Sequence, residues 1–596
     1  MLTIERYLTL YGRFASELGA GAAAEASIEQ VAEALYCTER NAKLVLRKLT
    51  EEGFIEWKAG RGRGNRSHIT FREDREKLLL DLSRQYAEDG EYNKAFHLLQ
   101  TFGEGTAANE KFMEWMSGSF GFHKQLGKEA DILRLPITRV IMTLDPAECV
   151  FSFDSHVIQQ IFDKLVVLEE NTGRILPGIA HDWECNEDAT IWTFHLRKGV
   201  LFHDGTELTA SDVVFTMERL RSGKLNSWIM RSLGKVEAVS NRIVRFHLNR
   251  PNWLFLKYAC SNVMAILPSG LLGQSEELFW KRPVGTGPFQ IEEWTSGRLL
   301  LGANVHYFQG RPHLDQVEIV PVPPNEALKG RMVTWQQLIC DPKQQAVTVE
   351  NGWIKLESKN VCTSMLSWNM QRKGPQQSEL FRRIVDQLLD RKLMIRELEG
   401  YRYLPANGFF PESEPSTSVT PPNDTPIPPD ELRKLIARHG FDQFPVTLCA
   451  HTVHSADAFW IQKQCMAYGI EVKVRIEGQE TIHSVFDEVD VTFHSLVFPE
   501  DEVSLIESCE QDNSFLKRLM TPELSAWTIE RFDEALAFKN SPDRMAIYAE
   551  IEERLRGEYQ VLFLLHNRFY TDYHPTLKGV RINSLGWIDF KHIWRA

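Results

Sequence analysis

The chain has 596 residues, of which 43% are hydrophobic and 25% charged; it is too long for one compact core and reads as a multidomain globular protein. Its net charge of −13 excludes nucleic-acid binding along the whole length. No window offers the roughly 18 apolar residues of a membrane span, and nine scattered cysteines without a CxxC pair suit free thiols in a reducing compartment.

The opening stretch MLTIERYLTLYGRFASELG is charged at Glu5, Arg6 and Arg13. It reads as neither a secretory nor a lipoprotein leader, so a cytoplasmic protein is expected. Ile4, Leu8, Leu10 and Phe14 predict a first helix. Ile28, Val31, Ala32 and Leu35 predict a short second one, and Tyr36-Cys37 a turn. Thr38 is placed to cap a third helix running to Glu52. There Ala42, Val45, Leu46 and Leu49 share one face at helical spacing, and Arg40, Lys43 and Arg47 project from the other. Gly53 is expected to end that helix in the left-handed conformation. Phe54–Trp57 and His68–Phe71 predict two strands around GRGRGNRS.

A short helix, a turn, a basic helix and a hairpin with a Gly/Arg tip resemble a winged helix-turn-helix over residues 1–72. A recognition helix needs cations and hydrogen-bonding groups on its exposed face for phosphates and base edges. Thr38, Arg40, Asn41, Lys43 and Arg47 supply them. The wing tip adds Arg61, Arg63, Asn65 and Arg66, with glycines between that permit close approach to a groove. From Thr38 to Arg72 there are nine basic and four acidic residues. Double-stranded DNA is the expected partner. The alternatives are a solvated basic hairpin or a winged helix that binds protein.

Residues 73–130 predict a helical connector. Leu78, Leu79, Leu82 and Tyr86 share one face, and Ala95, Phe96, Leu99 and Phe102 another. A dimer contact there is an equal reading.

The next landmark is TIWTFHLRKGVLFHDGTELTASDVVFTMERL, residues 190–220. Period-two alternation from Ile191 to Leu196 predicts a strand, Asp204-Gly205 a turn, and Thr209 with Asp212 the start of a helix. Together with Leu144-Asp145-Pro146, IFDKLVVLEENTGRILPGIAHDWE and Pro283–Phe289, it resembles the extracellular solute-binding proteins of peptide and nickel importers. With the winged helix in front, nearly the whole chain resembles the SgrR type of transcriptional regulator. The resemblance implies a multidomain fold: an α+β winged helix-turn-helix followed by a two-lobed α/β, periplasmic-binding-protein-like (type II, peptide-binding) sensor over 131–596. Lobe I would take about 131–365 and 562–596, and lobe II about 366–561.

Departures and details follow in chain order. Where transport members carry a glycine-rich segment, this chain has MVTWQQLICDPKQQAVTVENG, which implies a trimmed lobe. Thr363–Asn369 resembles the strand that crosses between lobes, and the stretch from Phe381 the helix after it. Eight prolines in 405–429 predict an extended loop. Residues 444–450, 456–468 and 470–476 predict a βαβ unit, 493–498 a strand and 544–556 a helix. Val561–His566 predicts a strand returning to lobe I.

The cleft is expected to hold a sugar, a sugar phosphate or a short peptide. Trp368 and Asn369, at the crossover, are candidate contacts by stacking and hydrogen bonding. The resemblance adds Glu500 and Asp501, near where peptide binders place an acid for the ligand's α-amino group. His451 and His454 are a weak pointer to metal, and His203 is expected to be structural. No nucleophile elbow, HExxH or phosphate loop occurs, so neither an enzyme nor a cofactor is expected. The leading expectation is a ligand-responsive regulator, with RNA polymerase and a second copy as further candidate partners and no membrane. The alternative is the solute-binding component of an ABC importer for oligopeptides.

Overall fold

A computed structural model describes the chain apart from residues 1–2, 16–20, 22, 61–65, 118–119, 126–129, 138–139, 170–171, 323–337, 340–351, 412–425 and 499–501. The N-terminal helices Thr3–Phe14, Ile28–Ala34 and Glu39–Glu51 are those expected. Ser27 and Gln30 form a capping box on the second, and the Thr38 side chain accepts the Asn41 amide at 3.4 Å on the third. Each satisfies amides the first turn leaves unpaired. Gly53 follows the third helix at φ +81, as expected of a left-handed end.

Strands Ile55–Lys58 and His68–Phe71 pair antiparallel. A third strand, Ala23–Glu25, completes the sheet on the other side of His68–Phe71. Alanines have poor strand propensity, and here pairing overrides it. The Arg66–Glu25 ion pair closes the same edge.

The boundary at residue 72 does not divide two cores. Helices Arg75–Glu88, Tyr92–Phe102 and Ala108–Ser117 contribute Leu79, Leu82, Phe96, Leu99 and Phe112 to one core with Tyr7, Leu8, Leu46 and Phe71. Val320 and Val322, from the first lobe, enter that core as well. At its edge the Tyr92 hydroxyl donates to Glu318 at 3.4 Å. Arg134 pairs with the same carboxylate at 2.6 Å. Arg298 lies across Gly90, where a Cβ would meet its guanidinium at 2.7 Å. The winged helix and its connector therefore form one core, and the connector helices join it to lobe I.

Lobe I has two larger sheets and two short two-stranded ones. In the five-stranded one, Gln316–Pro321 runs parallel to Ala130–Ile137, flanked by Gly121–Gln125 on one side and the Phe289–Trp294 and Leu299–Ala303 hairpin on the other. The second is a four-stranded antiparallel sheet in the order Leu233–Ser240, Ile243–Leu248, Ile191–Leu196 and Ala180–Cys185. The signature stretch supplies its strand Ile191–Leu196 and the helix Ala210–Arg221, with a Thr209–Asp212 capping box.

The other sequence landmarks have packing roles. Gly285 and Gly287 pass so close to Ile161 that a Cβ would lie 2.0 Å from its carbonyl oxygen in the first case and 2.5 Å from its carbonyl carbon in the second. The His203 ring holds that loop, with Nε2 3.1 Å from the Gly287 carbonyl and Nδ1 accepting the Gly285 amide at 3.2 Å. Burial lowers His203 to about 4, so it stays neutral and structural.

Lobe II is built on a seven-stranded sheet. Two long antiparallel strands, Ile354–Trp368 and Val561–Tyr573, form its middle. Both belong to this sheet throughout, so its limits run to 354 and 573 rather than to 366 and 561. At one end Leu356 and Tyr573 pack on the lobe I core; at the other Trp368 and Leu562 sit in the lobe II core. The predicted βαβ unit is Val446–His451, Ser455–Met466 and Val472–Glu477, with parallel register Val446↔Val472. Helices Glu502–Glu510, Phe515–Leu519, Pro522–Leu536 and Ser541–Gly557 then lean onto the four-stranded sheet of lobe I and share its core. Apart from Leu338–Ile339, which pairs with the end of Val561–Tyr573, the departing segment around 323–351 lies outside the described residues, as does most of the proline-rich loop.

Candidate nucleic-acid interface and ligand cleft

Helix Glu39–Glu51 turns Ala42, Val45, Leu46 and Leu49 into the core. Thr38, Arg40, Asn41, Lys43 and Arg47 are all exposed. Arg40 and Lys43 have no ion-pair partner among the described residues. Arg47 meets Glu51 at 3.3 Å with both side chains more than half exposed, a pair worth little in water. Arg66 sits at the base of the wing, where Glu25 holds it; that hydrogen bond raises Arg66 and lowers Glu25. Arg61, Arg63 and Asn65 lie outside the described residues.

Between the lobes lies a cavity of about 370 Å³, within the range of small-molecule sites. Lobe I contributes Phe151, Ser152, Lys164 and Asn262; lobe II contributes His454, Gln479, His494, Ser495, Glu507 and Phe515. Lys164 is steadied by the Asn262 amide oxygen at 2.8 Å. The wall of lobe II is a connected polar chain. His454 Nε2 lies 3.2 Å from the Ser495 hydroxyl, which lies 2.8 Å from the Ser364 hydroxyl. Behind His454 sits buried Asp457, 3.7 Å from Nδ1. Arg402 donates to Asp457 at 2.8 Å and the Tyr401 hydroxyl at 3.2 Å. An aromatic row bridges the lobes: Phe151 to His483 at 5.4 Å, His483 to Phe515 at 5.3 Å, and Phe515 stacked on His494 at 4.7 Å. Burial lowers His494 to about 3, leaving a neutral ring that exchanges a hydrogen bond with Ser367 at 2.8 Å.

Burial acts to raise the Asp457 carboxyl, but the His454 and Arg402 side chains more than offset it and hold it at about 2. A carboxyl depressed from 3.8 contributes stability that is present above about pH 4 and is lost as pH falls toward 2. The loss is about 2 kcal/mol. Asp457→Asn is expected to flatten that part of the acid-unfolding curve. Identical acid limbs in the two proteins, measured by urea unfolding at stepped pH, would contradict this.

Two candidate contacts need correction. Trp368 is 2% exposed and packs edge-on against Phe381 at 5.7 Å, in the core behind the sheet. Strand alternation turns it away from the cleft. Asn369 is a clamp: its amide donates to the Phe486 and Val489 carbonyls at 2.8 and 3.0 Å, and its oxygen accepts the Gln371 amide. Glu500 and Asp501 lie outside the described residues. Among those described, no group of three or more His, Cys, Asp or Glu could hold a metal ion. His454 instead joins the polar wall.

Two lobes facing a small cavity with one polar wall, joined by two long strands and preceded by a winged helix, define a solute-binding module fused to a helix-turn-helix unit. Comparison with known proteins agrees. Residues 174–497 match the bacterial extracellular solute-binding proteins, family 5 Middle, and residues 3–120 the sugar transport-related sRNA regulator N-terminal region. The chain is 30% identical to the uncharacterized protein YhjP of Bacillus subtilis over the full length of both. It is 26% identical to the HTH-type transcriptional regulator SgrR of Yersinia enterocolitica, over 99% of this chain and 98% of that one. Among solved structures, the periplasmic binding protein DppA of Helicobacter pylori, in complex with peptide STSA, aligns with TM-score 0.67 at 21% identity, over 78% of this chain and 98% of that one. NikA of Brucella suis, in complex with Fe(III)-EDTA, aligns with TM-score 0.64 at 18% identity, over 78% and 100%. These two show the shared fold. The chain belongs to the family 5 solute-binding proteins and, through its N-terminal region, to the SgrR type of regulator.

Proposed function

We propose that this protein is a ligand-responsive transcriptional regulator that binds double-stranded DNA through Glu39–Glu51 and its wing, and a sugar, sugar phosphate or short peptide in the cleft. The observation that carries the reading is the single core that the winged helix shares with its connector and with Val320 and Val322 of lobe I, closed at its edge by the Tyr92–Glu318–Arg134 cluster. A binding event that moves lobe II against lobe I acts on the body that holds the DNA reader. The reading places the protein in the cytoplasm, with its DNA, and makes it a binding protein rather than an enzyme. RNA polymerase and a second copy are the protein partners it would engage.

Fluorescence anisotropy with a duplex from the region upstream of its own gene tests the proposal. Binding is expected to weaken steeply with salt and to shift on adding the cognate solute. Binding that ignores salt would sink the DNA reading. Arg298→Ala removes the side chain resting on Gly90 and paired with Glu293 and Glu318. Solute-induced change in DNA affinity is expected to shrink, with solute affinity itself kept within about twofold. A full response in that variant would place the coupling elsewhere.

A further inference from the structure

Leu44 stands out on the helix that bears the cations. It is 51% exposed, whereas Ala42, Val45, Leu46 and Leu49 are nearly fully buried. At about 100° per residue, Leu44 lies at the middle of the solvent face. Arg40 and Arg47 fall within about 60° on one side of it, and Asn41 and Lys48 within about 60° on the other. An isolated exposed leucine needs no explanation. One at the centre of a cationic face, pointing away from the core, occupies the position nearest the floor of a groove.

The major groove presents one apolar group to such a residue, the C5-methyl of thymine. The cations and Asn41 around Leu44 have phosphates and polar base edges as their complements. Resting on the DNA-binding reading above, we infer that Leu44 is a specificity-determining residue that packs on a thymine methyl in the major groove, with its charged neighbours fixing the register.

The test uses the full-length protein and the duplex it enriches most strongly from a random pool. Each thymine is replaced in turn by deoxyuridine, which removes the methyl and nothing else. One position is expected to lose about fourfold in affinity, the worth of one buried methyl. Leu44→Ala, a change at an exposed site to a strong helix former, is expected to weaken wild-type duplex by a similar or larger factor and to be indifferent to uracil at that position. A flat uracil scan with tight, salt-dependent binding overturns the thymine contact and leaves the DNA reading standing. Equal uracil sensitivity in the variant assigns the methyl to another residue and also overturns it. Failure to enrich any duplex overturns both.

Discussion

Replacing Arg40, Lys43 and Arg47 together by glutamate is expected to lower affinity for duplex DNA by at least about 100-fold near physiological salt, with the folded state intact. Three phosphate-facing cations account for a salt slope of about three in log–log terms, and three new acids add repulsion on top. The fold has little at stake in them. All three side chains are exposed, and the buried face is carried by Ala42, Val45, Leu46 and Leu49. The single ion pair lost, Arg47–Glu51, is solvent-screened. Glutamate is about as good a helix former as the residues it replaces, and near the helix N-terminus it meets a favourable dipole. The acid that replaces Arg47 repels Glu51 one turn on, at a cost of only about a few tenths of a kcal/mol. Anisotropy across a salt series and a thermal melt together give the answer. Unchanged DNA affinity would remove this helix from the interface. A collapsed melt would show that the cations hold the domain together, which their exposure argues against.

The contrast between that helix and the cleft explains what can be read ahead of the structure. Periodicity is local, so Ala42–Leu49 and the strand at Ile191–Leu196 can be placed from spacing alone. The strand Ala23–Glu25 cannot, because its reason for existing is a partner strand, His68–Phe71, far along the chain. The same holds for the site. His454, His494 and Ser495 meet Phe151 and Lys164 only after the chain has folded through two lobes, and no spacing rule joins them. Trp368 and Asn369 are plausible contacts on sequence grounds because crossover strands border clefts. Their faces, however, are set by packing against Phe381 and by the Phe486 and Val489 carbonyls. The connector reads as separate because its helices are amphipathic on their own. The apolar faces in fact meet the winged helix, making one core where composition suggests two units.

Arg219→Ala is expected to cost about 3–5 kcal/mol of stability, the range for leaving one member of a buried ion pair alone. Arg219, on the signature helix, is 8% exposed and grips Asp145, 4% exposed, at 2.9 and 2.5 Å. Asp145 is the acid of the Leu-Asp-Pro landmark, so the pair joins two sequence motifs some 74 positions apart. Removing the guanidinium strands a carboxylate in the core, whereas Asp145→Leu with Arg219→Met removes both charges and is expected to recover most of the stability. The cleft is expected to tell the two variants from wild type. Asp145 also accepts the Ala147 amide at 3.0 Å, and Asn226 holds the Cys149 carbonyl at 2.8 Å. Gln511 of lobe II reaches across to Asn226, and Phe151 follows immediately as a cleft wall. The ion pair thus fixes the lip on which lobe II closes. The double variant should unfold near the wild-type denaturant midpoint yet close less firmly, measurable as a larger radius of gyration in solution scattering. If it scatters as wild type does, the pair serves folding alone and the lip is positioned by Asn226 and its neighbours.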